Sequence, residues 1–225
     1  MEQRAIAPSL DHEVRQLVEQ IGILLARQGH TLAVGETSAG GALASLIPAV
    51  PRSESWFLGG MVLYAGSDIP LAQSIRSVAR AHGVVSEEYS AALAELVKRT
   101  FACDWALAES GIAGPQTGRR SAKPVGMVCL AVVGSSGRRA PAKERGASPR
   151  ATEELGGTER SVDELDGNGT IMATLDSGRE SLWTVTHEFA DAGRTANQHQ
   201  FAVESLRLFL HVLEAYEREQ QCLRV

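Results

Sequence analysis

Twice in this 225-residue chain an apolar run of strand length breaks into a glycine-bearing turn that carries hydroxyl and carboxylate side chains. The first is Thr31-Leu32-Ala33-Val34-Gly35-Glu36-Thr37-Ser38-Ala39-Gly40-Gly41, which reads as a buried strand, a tight turn and the glycine-rich start of a helix. The second follows the apolar strand Asp104 to Glu109 and reads Ser110-Gly111-Ile112-Ala113-Gly114-Pro115. Around them short apolar strands alternate with amphipathic helices, the pattern of a layered α/β/α domain with a central β-sheet. A chain of this length suits one domain with room for an insertion, and it can bury a sizeable core.

Apolar side chains recur at helical spacing from Leu10 to Gln28, with Ser9 as the cap and Gly29 as the left-handed residue that ends the helix. Trp56 to Tyr64 reads as a strand with paired glycines, and Pro70 to Arg80 as a weaker helix. Ser86-Glu87-Glu88 opens a clear helix to Phe101, its acidic residues set against the N-terminal dipole. Val125 to Val133 and Leu182 to Phe189 are further strands, and a closing helix covers about Thr195 to Glu219. Residues 135–181 are dominated by Gly, Ser, Arg, Glu, Asp and Thr. That stretch is expected to be a disordered insertion within a domain spanning 10–225, because it cannot bury enough apolar surface to offset its ordering entropy. With the first helix starting near Leu10, a stand-alone domain is expected.

The formal net charge of -5 argues against nucleic acid or an anionic membrane as a general partner. Of the 22 basic residues only Lys98, Lys123 and Lys143 are lysines, so arginine carries most of the positive charge. Arginine stays protonated, which makes it a good anion clamp and a poor general base. Cys103, Cys129 and Cys222 lack metal-ligand spacing, and the first two lie in or beside apolar runs as core thiols. There is no signal-peptide pattern and no run of about 18 apolar residues. These features predict a soluble cytoplasmic protein with no metal, no cofactor and no membrane contact.

The turns are where chemistry can sit. The strand ending at Val34 or Gly35 delivers Glu36, Thr37 and Ser38 to the start of a helix, where Gly40 and Gly41 clear space. Free N–H groups there can hold a carboxylate, a phosphate or an oxyanion beside a hydroxyl nucleophile. In the second turn Ser110 offers a hydroxyl, while Gly111 and Gly114 let the backbone approach a ligand. Ligands of open α/β sheets collect beyond the carboxyl ends of the strands, where both turns converge. The blander reading is a pair of glycine-rich connectors in which Thr37 or Ser38 only caps a helix.

Taken with Gly59-Gly60-Met61-Val62-Leu63-Tyr64 and Lys123-Pro124-Val125-Gly126, these motifs resemble the CinA C-terminal domain family, the nicotinamide-nucleotide amidases. The resemblance covers about Asp11 to Val133 and Leu182 to Leu213. It implies an amidase that converts nicotinamide mononucleotide to the acid form and ammonia, with a serine nucleophile and a lysine base. Where the family reads Glu-Ser-x-Thr-Gly-Gly this chain has Glu36-Thr37-Ser38-Ala39-Gly40-Gly41, so Thr37 holds the nucleophile's place. The lysine five residues after the family's tyrosine falls at Ile69, and no lysine precedes Lys98. Losing a general base costs on the order of 10²–10⁴ in rate. The resemblance further implies N–H groups near Gly40 and Gly41 as oxyanion donors, Tyr64 and Ser110 as substrate-orienting groups, and Arg194 against a phosphate.

Three readings stay open: such an amidase, a non-catalytic relative that binds a nucleotide or other anion, and different chemistry using Glu36, Asp68 or Glu109. A small-molecule nucleotide or anionic ligand is the expected partner, and the chain is expected to form a homo-oligomer. One decoy is Glu164 to Ile171, which mimics the middle of an EF-hand calcium loop but has Glu164 as its first ligand and Leu175 where the twelfth-position Glu is required.

Overall fold

Helix α1 (His12–Gln28) buries Val14, Leu17, Val18, Ile21, Leu24 and Leu25, the stripe that a 3.6-residue period places on one face. Its cap is Asp11 rather than the expected Ser9: the Asp11 carboxylate accepts from the Glu13 N–H, and Gly29 closes the helix in the left-handed region. The computed structural model describes residues 11–64, 69–115, 122–135, 161–165, 170–176 and 180–222.

Seven strands form one sheet: β1 (Leu32–Glu36), β2 (Phe57–Val62), β3 (Trp105–Gly111), β4 (Met127–Ser135), β5 (Ser161–Leu165), β6 (Thr170–Asp176) and β7 (Glu180–Glu188). Their order is β2-β1-β3-β4-β7-β6-β5. Strands β2, β1 and β3 run parallel, and every pairing from β3 onward is antiparallel. The parallel strands β1 and β3 are buried almost throughout, as strands covered on both faces must be, whereas edge strand β2 alternates half-buried and exposed positions.

On one face lie α1, the short α2 (Ala42–Leu46) and the 29-residue α6 (Arg194–Cys222). On the other lies α5 (Glu87–Phe101), capped by Ser86 as expected. The expected helix over Pro70 to Arg80 is two pieces, α3 (Pro70–Gln73) and α4 (Arg76–His82), of which α4 packs on α5. The α/β/α layering read from the sequence is the one observed.

The disordered insertion over 135–181 is corrected in part, since β5 and β6 come from inside it. The reason lies in local composition: Thr170-Ile171-Met172-Ala173-Thr174-Leu175 is a β-prone run masked by its polar surroundings. Residues 136–160, 166–169 and 177–179 lie outside the described residues. The calcium-loop mimic falls across these two strands, where an EF-hand needs flanking helices.

At the first residue of β3, Trp105 is fully buried and anchors the α1/α6 layer. The rings of Trp183, Phe209 and Tyr216 surround it at centroid distances of 5.9, 5.9 and 5.2 Å. Its indole N–H donates to His30 Nδ1 at 3.1 Å. Gly134 must lack a side chain here, because a Cβ would sit 1.9 Å from Trp105 Cε3. Trp105→Ala should destabilise the domain by about 3–5 kcal/mol, measured by urea unfolding.

Candidate functional site

The first turn leaves β1 at Glu36, and its shape is set by two carboxylates rather than by its own hydrogen bonds. Glu36 is fully buried; Oε2 accepts from the N–H groups of Gly41 (2.8 Å) and Leu43 (3.1 Å), and Oε1 from Ala44 (2.8 Å). It neutralises the start of α2, so the Gly41 N–H expected to serve as an oxyanion donor is already occupied. Glu36 therefore holds the turn rather than meeting a ligand. Burial raises its pKa above the usual carboxylate range, offset by those three N–H donors.

Glu109, near the end of β3, holds the same turn from the neighbouring strand. Its Oε1 accepts from the N–H groups of Thr37 (2.7 Å) and Ala39 (2.8 Å), and its Oε2 from the Ser38 hydroxyl at 2.6 Å. Burial pushes its pKa up to about 7, against the Ser38, Ala39 and Thr37 donors that lower it, with the charge of Glu36 adding to the rise. The N–H groups of Ser38 and Gly40 make no hydrogen bond among the described residues. Two donors thus remain available in the turn, in place of the one at Gly41.

The two turns meet through their hydroxyls. Thr37 Oγ1 donates to Ser110 Oγ at 3.0 Å, and Ser110 Oγ donates onward to the Val84 carbonyl. Lys123 Nζ donates to the adjacent Val85 carbonyl. Gly111 is required by close approach: a Cβ there would meet the Met127 carbonyl oxygen at 2.6 Å and Ser38 Oγ at 3.1 Å.

The start of α6 closes the site from the third side. Arg194 donates to the Gly114 carbonyl and, at 2.6 Å, to the Tyr64 hydroxyl, with its guanidinium 6.0 Å from the Tyr64 ring centroid. Gly114 has φ +81, and a Cβ there would strike Val125 Cγ1 at 2.7 Å. Buried Asn197 donates to the Ala113 carbonyl at 3.0 Å, and Gln198 donates to the Ser38 carbonyl at 3.0 Å.

A model of the CinA C-terminal domain matches residues 14–154. The chain belongs to the CinA C-terminal domain family. It is 45% identical over 118 residues to a CinA-like protein of Synechococcus sp. (strain CC9902), covering 51% of this chain and 27% of that one. It is 40% identical over 129 residues to a CinA-like protein of Anaeromyxobacter sp. (strain K), covering 57% and 31%. The chain thus spans under a third of the length of these curated relatives. Among solved structures, the competence or damage-inducible protein of Enterobacter asburiae superposes with a TM-score of 0.62 at 19% identity, covering 89% of this chain and 98% of that one. A CinA superfamily protein of Klebsiella pneumoniae 700603 gives 0.63 at 18%, covering 90% and 98%. These two likenesses speak for the fold alone.

Within this CinA domain the structure brings together Thr37, Ser38, Gly40, Gly41, Ser110, Gly111, Gly114, Tyr64 and Arg194, all read from the sequence. Ile69 is the N-cap of α3 and is 44% exposed. Asp68 lies outside the described residues. Sequence reasoning missed Asn197 and Gln198. Asn197 had a signal, since it sits four residues before Phe201 on the apolar stripe of α6, where a polar residue must find a partner. No helix among the described residues is long and apolar enough to cross a membrane. Cys103 and Cys129 are buried and Cys222 is exposed, all three as free thiols.

A carboxylate whose pKa rises on folding adds stability below its unfolded value and loses it as pH climbs through the folded one. Glu109 rises from 4.5 to about 7. Its contribution to thermal stability should therefore decline between those two pH values. Glu109→Gln should flatten that decline, as melting temperature against pH would record.

Proposed function

We propose that this CinA domain is an amide hydrolase that takes nicotinamide mononucleotide to nicotinate mononucleotide and ammonia. The observation that carries the reading is the meeting of Thr37 Oγ1 and Ser110 Oγ at 3.0 Å, beside a turn with two unpaired N–H groups. Thr37 takes the nucleophile's place, and Ser110 orients its hydroxyl. The N–H groups of Ser38 and Gly40 receive the oxygen of the attacked carbonyl as it gains charge. Arg194 and Tyr64, at the exposed rim, meet the phosphate and the pyridine nucleotide's ribose end.

A second reading, a binding module without turnover, is favoured by one specific feature. The Thr37 hydroxyl donates to a serine rather than to a base, and the family's lysine position is the exposed Ile69. A hydroxyl without a base is a poor nucleophile near neutral pH.

Ammonia release from nicotinamide mononucleotide by the purified protein separates the two. Turnover is expected, slower by about 10²–10⁴ than with a lysine base. Thr37→Ala should abolish it, Arg194→Ala should raise KM at least about tenfold through the lost phosphate contact, and Thr37→Ser with Ile69→Lys should accelerate it. Calorimetric binding of the nucleotide without ammonia release would establish the binding module instead.

A further inference from the structure

We propose that Glu109 is a positioning residue: its ionised carboxylate holds the first turn in the shape that presents the Thr37 hydroxyl and the Ser38 and Gly40 N–H groups to a ligand. This inference rests on the amidase reading for its consequence in rate, and on geometry alone for its effect on the turn.

Three consecutive residues of the turn end on this one side chain: the Thr37 N–H, the Ser38 hydroxyl and the Ala39 N–H. The ionised carboxylate is the form that accepts all three strongly, because a protonated oxygen becomes a donor and a much weaker acceptor. Protonation at Oε2, the oxygen that accepts from Ser38, weakens that bond or reverses its direction. Either way the constraint on Ser38 slackens, and Ser38 carries one of the unpaired N–H groups while its carbonyl accepts from Gln198.

The surroundings make this carboxylate sensitive to pH in the neutral range. It is fully buried and has Leu130 as its cross-strand neighbour on β4. Toward α6 the adjoining Gly111 packs on Phe201, and the uncharged Gln198 meets the turn. From β1 the like charge of Glu36 opposes ionisation, and no cationic side chain among the described residues is a cause of the shift. The site is therefore competent above the titration of Glu109 and slackens below it.

The test follows the backbone amide signals of Thr37 and Ala39 by NMR from about pH 5.5 to 8.5, a window around the titration, with ammonia release measured over the same range. In the native protein both amides should shift with a single inflection, and kcat should fall about tenfold per pH unit below it while KM holds. Glu109→Gln keeps an acceptor oxygen for the two N–H groups but cannot ionise, so it should show flat amide positions and no limb in kcat at that pH. Amides that stay flat in the native protein, or a kcat limb that survives Glu109→Gln, would overturn the proposal. If native protein releases no ammonia, the amidase reading fails and the amide titration alone decides the role of Glu109. Should Glu109→Gln not fold, the native titration decides it in the same way.

Discussion

Two carboxylates, Glu36 and Glu109, are taken out of water at adjacent strand ends and aimed at the same short stretch of backbone. A buried carboxylate is costly unless donors surround it, and here the donors are the N–H groups of the turn and of α2. The dependence runs both ways. Without the carboxylates, the N–H groups of Thr37, Ala39, Gly41, Leu43 and Ala44 would be orphaned; without the turn, neither charge could stay buried. Helix α2 has only five residues, too few to hold its own start, so its direction away from the sheet depends on Glu36.

This arrangement explains why the site sits where it does. Parallel strands β1 and β3 end side by side, which brings Thr37 and Ser110 within hydrogen-bond reach although 73 residues separate them. From β4 onward the pairing is antiparallel, so the chain runs back along β3 after the second turn. Helix α6 then reaches back across both turns, with Asn197 fixed to one and Gln198 to the other. Arg194 lies at the start of that helix, and its contacts with Tyr64 and the Gly114 carbonyl join the segment after β2 to the second turn.

The hydroxyls of the site and the frame that holds them are separate sets of residues. Thr37 presents its hydroxyl from the first turn, and its methyl narrows the rotamers available. Ile69 contributes nothing to that frame, because it is an exposed helix cap. The frame rests on Glu36, Glu109, Gly111 and the buried apolar strands.

The sequence by itself determined the layers, the helices with one apolar face and the two glycine-bearing turns, because each follows from local periodicity or from glycine at a strand end. It also singled out Thr37, Ser110, Tyr64 and Arg194, which the structure pairs as Thr37 with Ser110 and Arg194 with Tyr64. What it could not give was the partner of each polar side chain. Glu36 and Glu109 read as cleft carboxylates, yet Glu36 faces its own helix and Glu109 faces its neighbour's turn. Strands β5 and β6 were hidden because a short β-prone run says little until β7 offers it an edge to pair with. Asn197 and Gln198 gained their roles only when α6 lay across the turns. Hydrogen bonding between residues far apart in the chain depends on distance and angle in three dimensions, and those are fixed by packing rather than by local pattern.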